Sequence, residues 1–167
     1  VVHVEGASAG TDVTSGMKAA QRRNQPVFAE SWAQALESHP ASPPDFLQPI
    51  ADGRRQILVV DVLTPTPDRD SGSLRIVNFM RLLRDEGAHV VFFAGDRRHA
   101  GADTERLQAL GIETWYAPHM GGLPAWLKRH GPRFSSVVAS RHYLARSLLP
   151  LVRRFAPQAR LVFDSVD

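Results

Sequence analysis

Asp68, Asp70, Ser71, Gly72 and Ser73 crowd into one short turn that also holds Thr66 and Arg69. An apolar run, residues 57–60 with Val62 and Leu63, leads into this turn and is broken only by Asp61. A helical period follows. Carboxylates and hydroxyls at this density suit the hydroxyls of a sugar, and amides exposed at a helix start suit a phosphate. Gly72 lets a ligand approach the backbone. The plainer alternative is a capped turn, in which Asp and Ser satisfy only the helix's own first amides. Asp68-Arg69-Asp70 also has the form of an Asp-x-Asp metal motif, although two acids alone do not complete a divalent-ion shell.

Other places carry chemistry too. Arg141 and His142 follow an apolar run at 135–140. There a guanidinium could hold a phosphate and an imidazole could act as a base, or both could simply start a surface helix. Asp164 and Asp167 follow the last apolar run, placed to hydrogen-bond a sugar or to cap the next element. Asp61 is either a buried charge met by nearby backbone or a site acid. As a phosphoacceptor of the receiver kind it sits on the wrong strand, the first rather than the third. His3, with Glu5, Gly6, Ser8 and Gly10, is either a structural hydrogen-bonder or a metal ligand. Gly121-Gly122, after His119, reads as a flexible turn before it reads as a backbone platform.

The elements that must position these residues follow from periodicity. Apolar runs at 57–63, 89–94, 112–117, 135–140 and 160–163 read as strands. Helical periods at 73–86, 103–110 and 123–130 alternate with them, and another carries Leu144, Leu148, Leu151, Val152 and Phe155, with Pro150 expected to divide it. Ser71 or Ser73 is expected to cap the first of these helices, and Gly87 to end it. Short apolar strands alternating with helices predict an α/β fold: a doubly wound, Rossmann-like parallel sheet in the order 3-2-1-4-5. In such a sheet ligands bind at the strands' carboxyl ends, which is where Asp68–Ser73, Arg141, His142 and Asp164 fall. Trp115, Trp126 and Phe134 are expected to pack. Before the sheet, Phe28, Trp32 and Leu36 mark one stripe of a helix that Pro26 should kink or restart, and residues 39–55 are rich in Pro and read as a linker.

Composition narrows the class. With 43% apolar and 22% charged residues, the chain can bury an ordinary core. The net charge is +3 without a run of five or six cations, so no nucleic-acid tail is indicated; an anionic small ligand or an anionic membrane surface fits. There is no Cys, hence no disulfide framework and no thiolate site. No apolar stretch approaches the roughly 20 residues of a membrane helix, and no signal peptide is visible, which is compatible with the cytosol. Gly72 lacks the companions of a dinucleotide fingerprint, and no Walker loop is present. The missing initial Met and the end just after a strand suggest a piece of a longer polypeptide.

Two stretches resemble known families. Residues 1–38, through His3, Glu5, Gly6, Ser8, Gly10, Asn24, Gln25, Phe28 and Trp32, resemble the C-terminal tail of family 2 (GT-A type) glycosyltransferases of bacterial surface-polysaccharide synthesis. Pro26 departs from that pattern. The resemblance implies a divalent ion (Mg or Mn) in the parent module, with His3 as a ligand, and no cofactor in this piece itself. Residues 56–167 resemble the N-terminal half of a GT-B type glycosyltransferase. The likeness rests on Pro65-x-Pro67-Asp68-x-Asp70-Ser71-Gly72-Ser73-x-Arg75, on residues 107–111 and on residues 163–167. It implies the acceptor side of an interdomain cleft, with Asp68, Asp70, Ser71, Gly72, Ser73, Arg141, His142 and Asp164 on its rim.

The expected activity is glycosyl transfer from a nucleotide sugar to a growing saccharide, or lipid-linked saccharide, of an O-antigen or similar polymer. It would take place in the cytoplasm at the inner face of the membrane, without nucleic acid, and this piece alone should be inactive. The competing reading is a non-catalytic flavodoxin- or receiver-like module that binds a partner or a small anion.

Overall fold

A parallel strand covered on both faces needs an unbroken apolar run, and β1 (Gln56–Asp61) has one, buried from Ile57 onward. The computed structural model describes residue 12 and residues 14–37 and 53–165. The chain separates into two compact units, Val1–Gly53 and Arg54–Asp167.

In the first unit, α1 (Gly16–Ser31) and α2 (Ala33–Leu36) meet at Trp32. The expected restart at Pro26 does not occur, since α1 runs through it. Pro26 and Arg22 are both exposed, so water takes the carbonyl that proline cannot serve. Phe28 and Trp32 lie with ring centroids 6.3 Å apart and are both more than half exposed. The expected linker falls mostly, and the segment around His3 entirely, outside the described residues.

The second unit is the expected sheet. β1, β2 (His89–Ala94), β3 (Glu113–Trp115), β4 (Phe134–Ala139) and β5 (Arg160–Phe163) are all parallel, in the order β3-β2-β1-β4-β5. Between them lie α3 (Ser71–Asp85), α4 (Ala102–Ala109), α5 (Leu123–His130) with a 3-10 turn at Gly131–Arg133, and α6 (His142–Phe155). Two strands are shorter than their apolar runs. β1 ends at Asp61 because Leu63 turns outward, and β3 pairs only opposite Val91, Phe92 and Phe93. Pro150 does not divide α6. It is exposed, as is Arg146 four residues before it, so the lost bond again faces water.

Alternate residues of β1 enter two cores. Ile57 and Val59 meet Ile76, Val77 and Met80 of α3 and Leu107 of α4. Leu58 and Val60 meet Trp126 and Leu127 of α5 and Leu148 and Val152 of α6. Trp115 and Phe134 pack in this second core as expected. Each fully buried aliphatic side chain contributes about 1.5–3 kcal/mol.

Strand starts gather at the amino edge. There Glu113 accepts from Arg133 (2.7 Å), from the Trp115 indole (2.5 Å) and from His89 (2.6 Å). Burial opposes its charge, but His89, Arg133 and Trp115 outweigh burial and hold its carboxyl at about 2. His130, buried between the Trp115 and Trp126 rings, is pushed down to about 4 by burial and by Arg133 and Arg129. Where α5 ends, Gly131 packs against the carbonyl of Phe155, which leaves no room for a Cβ.

Two outcomes follow. Gly131→Ala is expected to cost at least about 1–3 kcal/mol by urea unfolding, whereas Gly121→Ala, with open space around it, should be near neutral. Both depressed groups favour the folded state at neutral pH. The His130 contribution is complete above 6.5 and is lost as pH falls towards about 4; that of Glu113 is complete above 4.5 and is lost towards about 2. Stability should therefore decline steadily on acidification from pH 7. Glu113→Gln should make the decline below pH 4 shallower while costing on the order of 3 kcal/mol at neutral pH, because Arg133 loses its partner.

Candidate ligand site at the carboxyl edge of the sheet

Because the strands share one direction, all their carboxyl ends lie on one edge. The chain order reverses between β1 and β4. The helices that follow these strands pack on opposite faces, and a crevice opens between them.

Asp61 ends β1 on one side of this crevice. Its Oδ1 accepts from the Val62 amide at 2.7 Å and from Nε of Arg141, just past β4, at 3.1 Å. The Asp61 side chain is 12% exposed and that of Arg141 45%. Ser140 ties the two strand ends together, its amide and hydroxyl both donating to the Val60 carbonyl at 3.2 and 3.3 Å. A charge ending a buried strand has thus found its counter-ion across the crevice, where a pair costs least to desolvate because one partner keeps contact with water.

The turn after β1 forms one wall. The Arg69 amide donates to Thr66 O at 2.9 Å and closes it. Asp70 is the residue before α3, and its side chain accepts from the Ser73 amide (2.7 Å) and the Ser73 hydroxyl (2.7 Å), with Thr66 Oγ1 at 3.4 Å. The cap is therefore Asp70, not Ser71 or Ser73 as expected. A carboxylate one residue ahead of the helix reaches the third amide better than a hydroxyl already inside it. The Ser73 hydroxyl and amide hold the Asp70 carboxyl below the usual range, with a smaller contribution from Arg141. Asp68 points elsewhere, to Arg106 of α4 at 2.7 Å. The two acids of the Asp-x-Asp triplet are thus engaged in different directions. Among the described residues no group of three or more His, Asp or Glu side chains could hold a metal ion.

The far rim is Asp164, just past β5. Both its oxygens are taken by Arg75 of α3, at 2.8 and 2.6 Å, in a two-pronged ion pair. Ser71, Gly72, Arg75 and Ser165 line an open depression of about 300 Å³ beside it. His142 stands exposed in the first turn of α6, its ring 5.2 Å from that of Tyr143.

The edge thus brings together Asp70, Ser71, Gly72, Ser73, Arg141, His142 and Asp164, while Asp68 turns towards α4. His3 lies outside the described residues. Sequence reasoning anticipated neither the Arg75–Asp164 pair nor Arg141 as the partner of Asp61. Given the strand order, the neighbours of β1 and β5 ends were available as the signal for both pairs.

No family model, curated protein or solved structure matches this chain.

The arrangement can bind and orient a ligand at its surface. Its carboxylates are already committed, to Arg141, Arg75, Arg106 and the α3 cap. The Ser71 hydroxyl, the amides of Ser71 and Gly72, the His142 ring and the positive charge of Arg141 are what it presents. Asp70→Ala should lower the thermal midpoint by a few degrees by uncapping α3. Arg75→Ala, which breaks an ion pair whose arginine is half exposed, should cost about 1 kcal/mol. Thermal and urea unfolding of the two variants measure this ranking.

Proposed function

We propose that this chain is part of a glycosyltransferase of surface-polysaccharide or O-antigen synthesis. The sheet unit serves as the acceptor-side half of a two-domain module, and residues 1–38 as the tail of a GT-A module. One observation carries the reading. At the crevice between β1 and β4, the Asp61–Arg141 pair is bordered by a hydroxyl-rich helix start at Ser71–Ser73 and by the Arg75–Asp164 pair.

In this reading the Ser71 hydroxyl and the amides of Ser71 and Gly72 hydrogen-bond an acceptor saccharide, and Arg141, held by Asp61, sets its positive charge beside an anionic group on it. His142 stands where it could take a proton from an acceptor hydroxyl. A second Rossmann-like half brings the nucleotide sugar, and the closed cleft excludes water and orients both reactants. The carboxylates of Asp61, Asp70 and Asp164 at this edge each accept from protein donors. The work is placed in the cytoplasm at the inner face of the membrane.

The test is amide NMR of the chain titrated with galactose, mannose and rhamnose disaccharides. Shifts should centre on residues 70–73 and 141–143, with millimolar affinity, and should weaken several-fold in Arg141→Ala. The chain alone should not turn over UDP- or GDP-sugars. Shifts scattered away from this edge, or none, overturn the reading. A gain of one phosphoryl mass at Asp61 with acetyl phosphate would instead support the receiver-like module.

A further inference from the structure

From Thr114 to Phe163 the sequence carries eight Lys and Arg residues and no Asp or Glu, although the whole chain has a net charge of only +3. Arg133 pairs with Glu113 and Arg141 with Asp61. Four others, Lys128, Arg129, Arg153 and Arg154, are exposed in the last turns of α5 and α6. Those two ends lie against each other, with Gly131 packed on the Phe155 carbonyl.

Cations in a last turn complement the helix dipole. That explains their position along each helix, but not the loss of every carboxylate from the layer. On the opposite layer, Asp85 of α3 and Asp103 and Glu105 of α4 stand among the arginines. α6 also exposes apolar side chains among its cations. Tyr143 is 49% and Leu149 37% exposed, on the face shared with Arg146 and Arg153 at helical spacing.

We propose that the α5/α6 layer seats the protein on an anionic lipid surface. Cations without intervening acids supply the long-range attraction, and Tyr143, Leu149 and Pro150 supply apolar contact between headgroups. A nucleic acid strand is the poorer match, because the side chains between the arginines are mostly aliphatic and offer little for bases to stack on. The argument uses neither the crevice nor the transferase reading.

Co-sedimentation of the chain with vesicles tests it. The protein should partition onto phosphatidylcholine vesicles containing phosphatidylglycerol, and not onto phosphatidylcholine alone. Binding should be strong at about 0.05 M salt and largely lost at about 0.5 M. Lys128→Glu/Arg153→Glu/Arg154→Glu should lower the partition coefficient on the order of 100-fold, while Arg81→Glu on the exposed side of α3 should change it little. Leu149→Asn should weaken vesicle binding several-fold without affecting binding to heparin. Circular dichroism checks folding, and Arg153→Gln alone reads the same dependence if the triple variant does not fold. Equal binding to both vesicle types, no binding at low salt, or tighter binding to a DNA duplex than to the anionic vesicles overturns the proposal.

Discussion

Five strands pointing one way, with helices on both faces, constrain everything else in the sheet unit. The apolar alternation of β1 feeds two cores at once, so polar groups can leave the strands only at the two edges. The edges resolve this differently. At the amino edge Glu113 gathers His89, Trp115 and Arg133 into a nearly sealed cluster. At the carboxyl edge Asp61 is met by one partly solvated arginine. A sealed cluster fixes register and resists change. A half-open pair keeps its guanidinium in contact with water, as a binding edge requires.

The fold was legible because each of its signals was local. Runs such as residues 57–60 cannot sit in an amphipathic helix, Gly87 and Gly111 end helices with positive φ, and crossover handedness orders the strands. Where local rules failed, the error was one of solvent. Pro26 and Pro150 were expected to break helices, yet both stand where water satisfies the carbonyl they abandon. Exposure is a tertiary property, and the position of a proline in the chain does not reveal it.

The candidate site was legible in position but not in occupancy. Asp68, Asp70 and Asp164 read alike in sequence as acids near a loop. Coordinates separate them into a tether to α4, a helix cap and half of a two-pronged ion pair. Their partners lie 38, 3 and 89 residues away, and only the short-range one follows a local rule. The Asp61–Arg141 pair, 80 residues apart, was within reach of inference. Once the order places β4 beside β1, a buried acid ending one strand and an arginine following the other are neighbours. Depletion of acids between Glu113 and Asp164 was equally visible in the sequence. A scan for runs of cations misses it, because the signal is what is absent between them.

Charge depletion and the crevice belong to one electrostatic design. α6 follows Arg141 on the crevice wall and carries the exposed pair Arg153 and Arg154 in its last turn, so a single acid-free helix joins the two. With no carboxylate along it, the positive potential of the layer extends to the carboxyl edge, where the amino ends of α3 and α6 add their dipoles. On this account attachment draws on the cations of the last turns, and recognition on the charge of Arg141 at the other end of the same helix.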